Sequence, residues 1–374
     1  MKRNSILIIV LGVIVITIMF LQSKNLRQQS QGTVSAPLTI TEPPITSTST
    51  QPVAAPVAAP GKKYLTVAQK AKQYSVGREL AGISGYINLP EGQSTINLKD
   101  LVGKKVILID FWTYSCINCQ RTIPYVNAWY KKYHDAGLEI IGVHTPEFDF
   151  EKDINNVRAA VAKFGIRYPV VQDNEYATWS AYQNQYWPRE YLIDIDGFIV
   201  HDKIGEGEYD QTEAAIQKAL SERADKLGAA SVPGGTVSPN ATAAPKVAVS
   251  PETYFGSKRN AGAATQLSGT WDIKPEYIIN KTVGDTITYP YVAQHIYIVA
   301  SADTPIIMKV LRDGKPLTAD IADEDVNIGA DGMSTVTIKE ARLYRLIKES
   351  SVSQHSLELI PQSPGLQAFT FTFG

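Results

Sequence analysis

Cysteine is nearly missing from this 374-residue chain: there are two, both in Cys116-Ile-Asn-Cys119. No second pair and no clustered His-x-His accompanies them, so a four-ligand structural zinc site has no ligand set in the sequence. A disulfide framework is excluded on the same count. An excess of charge is missing too: 36 Lys and Arg against 37 Asp and Glu leave a formal charge of -1. That balance gives no electrostatic case for nucleic acid as a partner. Aromatics are missing from 23–63 and 228–249, where Ser, Thr, Pro, Ala and Gly dominate. Such stretches cannot bury enough apolar surface to offset their ordering entropy, and each reads as an extended linker.

One apolar run is present at the start. Lys2 and Arg3 precede an apolar or small stretch from Ser5 to Leu21, followed by polar residues. Its length is at the short limit for a spanning helix, and Thr17–Gln22 offers no small-residue cleavage site. The expectation is an uncleaved signal anchor and transmembrane helix over 1–22, positive end inside, with the rest of the chain extracytoplasmic at the cell membrane. The expected plan continues with a linker over 23–63, a redox domain over 64–227, a second linker over 228–249 and a β-sandwich over 250–374.

What is there is a dithiol between the apolar run Val106–Trp112 and a segment of helical spacing. A helix starting near Cys116 directs unsatisfied N–H groups and the positive end of its dipole at that sulfur, favouring thiolate. Cys116 is then the attacking sulfur, and Cys119 resolves the mixed disulfide and leaves an internal one. A structural staple is the plainer alternative, but a loop this short gains little from closure. Half of a metal site is the other.

Apolar runs at 106–112, 138–143, 168–171, 190–195 and 198–201 read as strands, and 122–136, 153–164, 176–186 and 210–226 as helices. Asp194-Ile-Asp-Gly197 reads as a hairpin turn. This alternation predicts a mixed α/β sheet flanked by helices. Farther on, 289–292, 295–300, 306–311, 335–339, 356–360 and 368–373 alternate or are β-branched, which predicts an all-β jelly-roll sandwich.

Residues 110–119, Asp-Phe-Trp-Thr-Tyr-Ser-Cys-Ile-Asn-Cys, with Pro124 and then Trp187-Pro-Arg-Glu-Tyr-Leu-Ile-Asp-Ile-Asp-Gly197, resemble the thioredoxin fold. A leading hairpin, Tyr86–Leu89 with Ile96–Lys105, is similar to the TlpA-like and AhpC/TSA-related thiol reductants. Ser250–Gly256, Gly269-Thr-Trp-Asp272, Leu343–Ile347 and the closing Phe-Thr-Phe-Gly374 resemble the C-terminal module of DipZ proteins, which follows a redox domain like this one.

The resemblance implies roles. Asp110, six residues before Cys116, occupies the position of the family's buried acid and would relay the proton of Cys119. Pro188 matches the cis-proline, whose loop pairs with an extended substrate. Trp187, Trp112 and Ser115 would border the substrate. His144 and Glu147 end the second strand on the active-site edge, as possible proton shuttles. Ser115 where thioredoxins carry Trp, Ile-Asn between the cysteines, and Thr122 where many TlpA-like reductants carry Glu are departures.

The expected activity is reduction of protein disulfides with no cofactor beyond the redox-active Cys116–Cys119 pair and no metal. A CcdA-like membrane protein on a separate chain would restore the dithiol. The sandwich resembles carbohydrate-binding modules and would take cell-envelope carbohydrate through Trp271, Tyr289, Tyr291 or Tyr297, although aromatics in a sandwich mostly fill its core. Asp313, Asp320, Asp323, Glu324 and Asp325 would hold calcium or simply be solvated. Two other functions remain open: a peroxide-reducing enzyme of the AhpC/TSA type, whose usual Pro-x-x-x-Thr-x-x-Cys is absent, and a surface-binding protein with a passive or copper-carrying Cys pair.

Overall fold

The computed structural model describes residues 63–241, 249–260 and 265–374. The expected anchor over 1–22 and nearly all of the 23–63 linker lie outside them. Among the described residues no helix is long and apolar enough to cross a membrane.

The first region is built on a six-stranded sheet. Its strands are β1 (Gly85–Ile87), β2 (Val106–Trp112), β3 (Leu138–His144), β4 (Val170–Gln172), β5 (Arg189–Ile193) and β6 (Ile199–Ile204), in the order β1-β4-β3-β2-β5-β6. β2, β3 and β4 run parallel, whereas β1, β5 and β6 join antiparallel. This is the mixed sheet of a thioredoxin-like fold. β2 and β3 are buried along their whole length, which is why both read as apolar runs, interrupted by Asp110 and Glu139, rather than as alternating ones.

Six helices accompany the sheet: α1 (Val67–Gln73), α2 (Leu98–Leu101), α3 (Ile117–Tyr133), α4 (Ile154–Lys163), α5 (Ala177–Ala181) and α6 (Tyr209–Leu227). α3 starts five residues earlier than helical periodicity suggested, because Cys116 caps it and the polar Asn118 and Gln120 obscure the apolar face. The helix expected over 176–186 shrinks to α5. Tyr176 and Gln183 take positive φ, at 59° and 51°, and bound it on both sides. The leading hairpin is not formed. β1 pairs with β4, and Leu98–Leu101 makes a single helical turn instead.

The hairpin turn at 194–197 is present. The Asp194 carboxylate accepts the Asp196 and Phe198 N–H groups at 3.0 and 2.9 Å, and Gly197 supplies a φ of 90°. The Lys70 ammonium reaches Asp194, Asp196 and Glu222 at 2.5, 2.8 and 2.5 Å. These three acids have metal-like spacing, but lysine sits among them and ties α1 to the turn and α6.

From Thr253 onward the chain forms an antiparallel sheet of eleven strands. The segments expected at 289–292 and 295–300 merge into one strand of 16 residues, β11 (Thr286–Ser301), and 356–360 is the end of β16 (Arg342–Pro361), 20 residues long. Irregular register at Ala293/His295 and Ile296/Tyr297 absorbs the mismatch that separated these segments in the sequence. Pro290 is tolerated because it falls between the parts of β11 that pair with β8 (Gln266–Ser268) and β17 (Gln367–Phe373), where a missing donor costs no ladder bond on that side. Tyr289, Tyr291 and Tyr297 are buried, and Trp271 packs against the same core, so these aromatics pack rather than display. Three of the five acids at 313–325 are engaged in ion pairs: Asp313 with His355, Asp325 with Arg342, and Glu324 with Arg345.

The two regions share a core. Phe148 and Ile117 pack with Tyr297, Val299, Leu343 and Phe369. Phe369 meets the rings of Phe148 and Phe150 edge-on at 5.1 and 4.8 Å, a favoured aromatic geometry. Tyr114 Oη donates to Ala341 O at 3.0 Å, and Arg345 to Gln120 Oε1 at 3.0 Å. The β region therefore packs directly against the start of α3, the helix that carries the cysteines.

Candidate active site

Cys116 is the N-cap of α3, and its Sγ accepts the Cys119 N–H at 3.4 Å. The free N–H groups of the first turn are thus aimed at this sulfur, an arrangement that favours negative charge there. Cys116 is half-buried and Cys119 is 1% exposed. Burial, followed by the proximity of Cys116, pushes the Cys119 thiol well above its ordinary ionisation range. The two sulfurs are therefore unequal: one faces a cleft at a helix terminus and the other lies in a dry interior.

The Trp187–Pro188 peptide bond is cis, and the Trp187 carbonyl lies 4.0 Å from Cys116 Sγ. Trp187 is fixed from behind, donating Nε1–H to Thr145 O at 3.1 Å and packing on Trp179. Trp112 is fully buried against His144. Ser115 is buried as well and donates its hydroxyl to Glu151 Oε1 at 2.6 Å.

Glu151 was not singled out from the sequence. Its other oxygen accepts the Glu147 and Phe148 N–H groups at 2.6 and 3.1 Å, so one buried carboxyl joins the loop after β3 to the residue before Cys116. Burial raises its ionisation to about 7. A 3-10 turn at 149–152 presents it, a feature with no periodic signal.

His144 is fully buried, edge-on to Trp112 and stacked on Tyr114. Burial depresses its ionisation to about 3, so the imidazole is neutral at ordinary pH. Glu147 faces the cleft but is engaged, with Arg259 at 2.7 Å and the Tyr254 hydroxyl at 2.6 Å. The Tyr254 hydroxyl also lies 2.8 Å from Glu252, whose ionisation is raised to about 7 by burial and by the charge of Glu147. One hydroxyl has one proton to give. It donates to Glu147 and accepts from Glu252 when that carboxyl holds its own proton. Tyr254→Phe is expected to leave both carboxyls short of a partner and cost about 1–3 kcal/mol, read as a lower thermal midpoint of unfolding.

Cys116 opens into a cleft of about 550 Å³ that both regions line: Glu147, Tyr186 and Trp187 from one, Glu252, Tyr254 and Arg259 from the other. Arg121 borders it too, held by Glu206 at 2.7 Å and Asn118 at 2.8 Å. Sequence reasoning had not assigned any residue of the β region to the cysteines. Docking of one region on another is not encoded in local periodicity.

Beneath Cys119 the sheet supplies a buried acid. Asp110 is 1% exposed, its Oδ1 has no hydrogen-bond partner, and burial raises its ionisation to about 7. Thr122 bonds back to Asn118 O and contacts Tyr209 Oη. It holds α3 to α6 and supplies no titratable group.

Comparison with known proteins gives two family matches: AhpC/TSA over residues 85–202 and the thioredoxin-like C-terminal domain over 243–374. The DipZ protein of Mycobacterium tuberculosis is 40% identical over 318 residues, covering 79% of this chain and 42% of that protein. Thiol-disulfide oxidoreductase ResA of Bacillus thuringiensis is 37% identical over 123 residues, 33% of this chain and 68% of that one. Thiol-disulfide oxidoreductase YkuV of Bacillus subtilis is 29% identical over 144 residues, covering 93% of its length. The chain thus spans about two-fifths of the DipZ proteins it matches.

Proposed function

The chain belongs to the thioredoxin-like thiol-disulfide oxidoreductases of the AhpC/TSA family, and from that membership we propose that it reduces protein disulfides by a dithiol mechanism. Cys116 attacks one sulfur of a substrate disulfide, forms a mixed disulfide and releases the first substrate thiolate. Cys119 gives up its proton and attacks Cys116 Sγ. The Cys116–substrate bond breaks, the second substrate thiolate leaves, and an internal disulfide remains. Two electrons pass from the dithiol to the substrate.

The observation that carries this reading is the inequality of the sulfurs: a capped, cleft-facing Cys116 and a buried, desolvated Cys119. The Trp187 carbonyl beside Cys116 supports pairing with an extended substrate strand, with Trp187 and Tyr186 as its apolar border. Asp110 is the proton acceptor for Cys119. Trp112 and His144 serve packing, Ser115 holds the loop through Glu151, and Glu147 holds the cleft wall through Arg259. No metal or organic cofactor is required by this scheme.

We further read the domain division as 64–227 and 250–374, with the β region a jelly-roll sandwich. The apolar run of 1–22 would tether both outside the cytoplasm. A CcdA-like membrane protein would return electrons to the internal disulfide. Cell-envelope carbohydrate is the ligand class we assign to the sandwich from its family resemblance.

Cys119→Ala tests the scheme. With no resolving thiol, the mixed disulfide persists, and substrates should be recovered covalently joined to Cys116 and identified by mass. Recovery of donor-like membrane proteins alone, with no client proteins, would count against a reductase.

A further inference from the structure

The proton released by Cys119 needs somewhere to go beyond Asp110, which is sealed from solvent. The register of β2 with β5 pairs Asp110 with Glu190, and directly opposed residues of an antiparallel pair share a face. Glu190 is 3% exposed, and its Oε1, like Asp110 Oδ1 and the Tyr168 hydroxyl, has no hydrogen-bond partner. Two buried carboxyls side by side with orphaned oxygens are costly unless they hold a proton between them. On its far side the Thr212 hydroxyl favours the charged form of the Glu190 carboxyl. That hydroxyl lies 3.0 Å from His201 Nε2, on a half-buried ring of β6.

We propose that Glu190 is a second carboxyl of the proton route, sharing a proton with Asp110 and passing it through Thr212 to His201 at the surface. The proposal deepens the reductase reading and rests on it. Cys119 loses its proton to the Asp110 carboxylate as its sulfur attacks Cys116 Sγ. Asp110 passes that proton to Glu190. Thr212 gives its hydroxyl proton to one neighbour while taking one from the other, so the chain resets without net change. Glu190 does not touch the reacting sulfurs; it acts through Asp110.

The surroundings of Glu190 fit a shared proton. Lys203, opposite it on β6, is drawn outward to Glu208 at 3.0 Å and leaves the carboxyl without a direct counter-ion. Tyr168, within reach of the charges of both carboxyls, and Tyr209, within reach of that of Glu190, are neutral phenols, and Cys119 feels the charge of Asp110. Burial, then the charge of Asp110, raises Glu190 to about 8, against about 7 for Asp110. Two such groups titrate as a unit, in two macroscopic steps.

The test is stopped-flow reaction of the reduced full chain with an aryl disulfide that liberates a coloured thiolate. The first phase reports attack by Cys116 and the second reports resolution by Cys119. Glu190→Gln is expected to leave the first phase unchanged, slow the second about tenfold at neutral pH, and remove one of two ionisations from its pH profile. Glu190→Asp should restore the second ionisation. A second phase in Glu190→Gln that superimposes on wild type at every pH overturns the proposal. Should Glu190→Gln fail to fold, Thr212→Val removes the hydroxyl that favours the Glu190 carboxylate and should move the upper ionisation to higher pH; an unmoved profile there overturns the route. If wild type itself gives no fast first phase, the reductase reading fails instead, and the two failures are distinguishable.

Discussion

Cys116→Ser is expected to lower disulfide reduction to the uncatalysed background, whereas Cys119→Ser should keep the first chemical step and lose turnover. The asymmetry follows from position. Cys116 caps α3, collects an N–H from Cys119 at 3.4 Å and borders the cleft. Cys119 lies one turn inside the helix, 1% exposed and held as a thiol by burial. A substrate disulfide entering the cleft meets Cys116 alone, and serine there offers a hydroxyl that neither ionises nor exchanges with sulfur at neutral pH. Insulin reduction measures turnover. Alkylation by iodoacetamide measures the first sulfur directly: wild type and Cys119→Ser should be modified rapidly, and Cys116→Ser slowly. The reverse pattern, with fast modification surviving in Cys116→Ser, would exchange the two roles and remove the basis of the proposed mechanism.

The residues of this site divide by how far apart in sequence their causes lie. Cys116, Cys119 and Asp110 fall within ten positions on one strand-to-helix unit, so spacing alone predicts their arrangement. Pro188 stands some 70 residues on, and it was legible because its Trp187-Pro-Arg-Glu context belongs to the family resemblance. Glu190, two residues farther along, was not. Its significance depends on the register of β5 against β2, which no local pattern reveals. The run 190–195 reads as a strand with Glu190 as its polar first residue, yet Glu190 shares with Leu192 the face that α6 covers. Glu151, Glu252, Tyr254 and Arg259 share this difficulty: each reads as an ordinary surface residue until another element is laid over it. β11 was divided in the sequence at Ala293-Gln294, and of β16 only the end at 356–360 carried a strand pattern, the polar run at 348–355 concealing the rest; cross-strand pairing overrode both. Tertiary contact, rather than propensity, decided these cases.

Asp110→Asn is expected to stabilise the reduced protein at pH 8 and to slow resolution in the same molecule. An unfolded Asp ionises near pH 4, while burial holds Asp110 at about 7 in the folded chain. Between those values the folded state keeps a proton that the unfolded state has released. More protons bound when folded means that stability falls as pH rises through that window. Three pH units at about 1.4 kcal/mol each set a ceiling of about 4 kcal/mol, reduced in practice by relaxation around the charge. Glu190 at about 8 and Glu151 at about 7 act in the same direction. His144, depressed to about 3, acts in the other. Below about pH 6.5 the unfolded imidazole gains a proton that the folded one refuses, so stability falls toward acid on its account. Subtracting the urea unfolding curves of Asp110→Asn and wild type cancels the contributions of Glu151 and His144 and leaves that of the Asp110 carboxyl together with the relief of Glu190, which no longer faces its charge. The difference should be near zero at pH 4 and grow to as much as about 4 kcal/mol in favour of the variant by pH 8. At pH 8, where wild-type Asp110 is ionised and can accept the Cys119 proton, the variant offers no carboxylate and resolution should slow about a hundredfold, a difference that vanishes toward pH 4. A variant no more stable at pH 8, and resolving at the wild-type rate, would mean that Asp110 is already ionised without cost and that the Cys119 proton leaves by another path. The opposite signs of the two effects are what make the test sharp: damage to the fold would lower both, whereas removal of a buried working acid separates them.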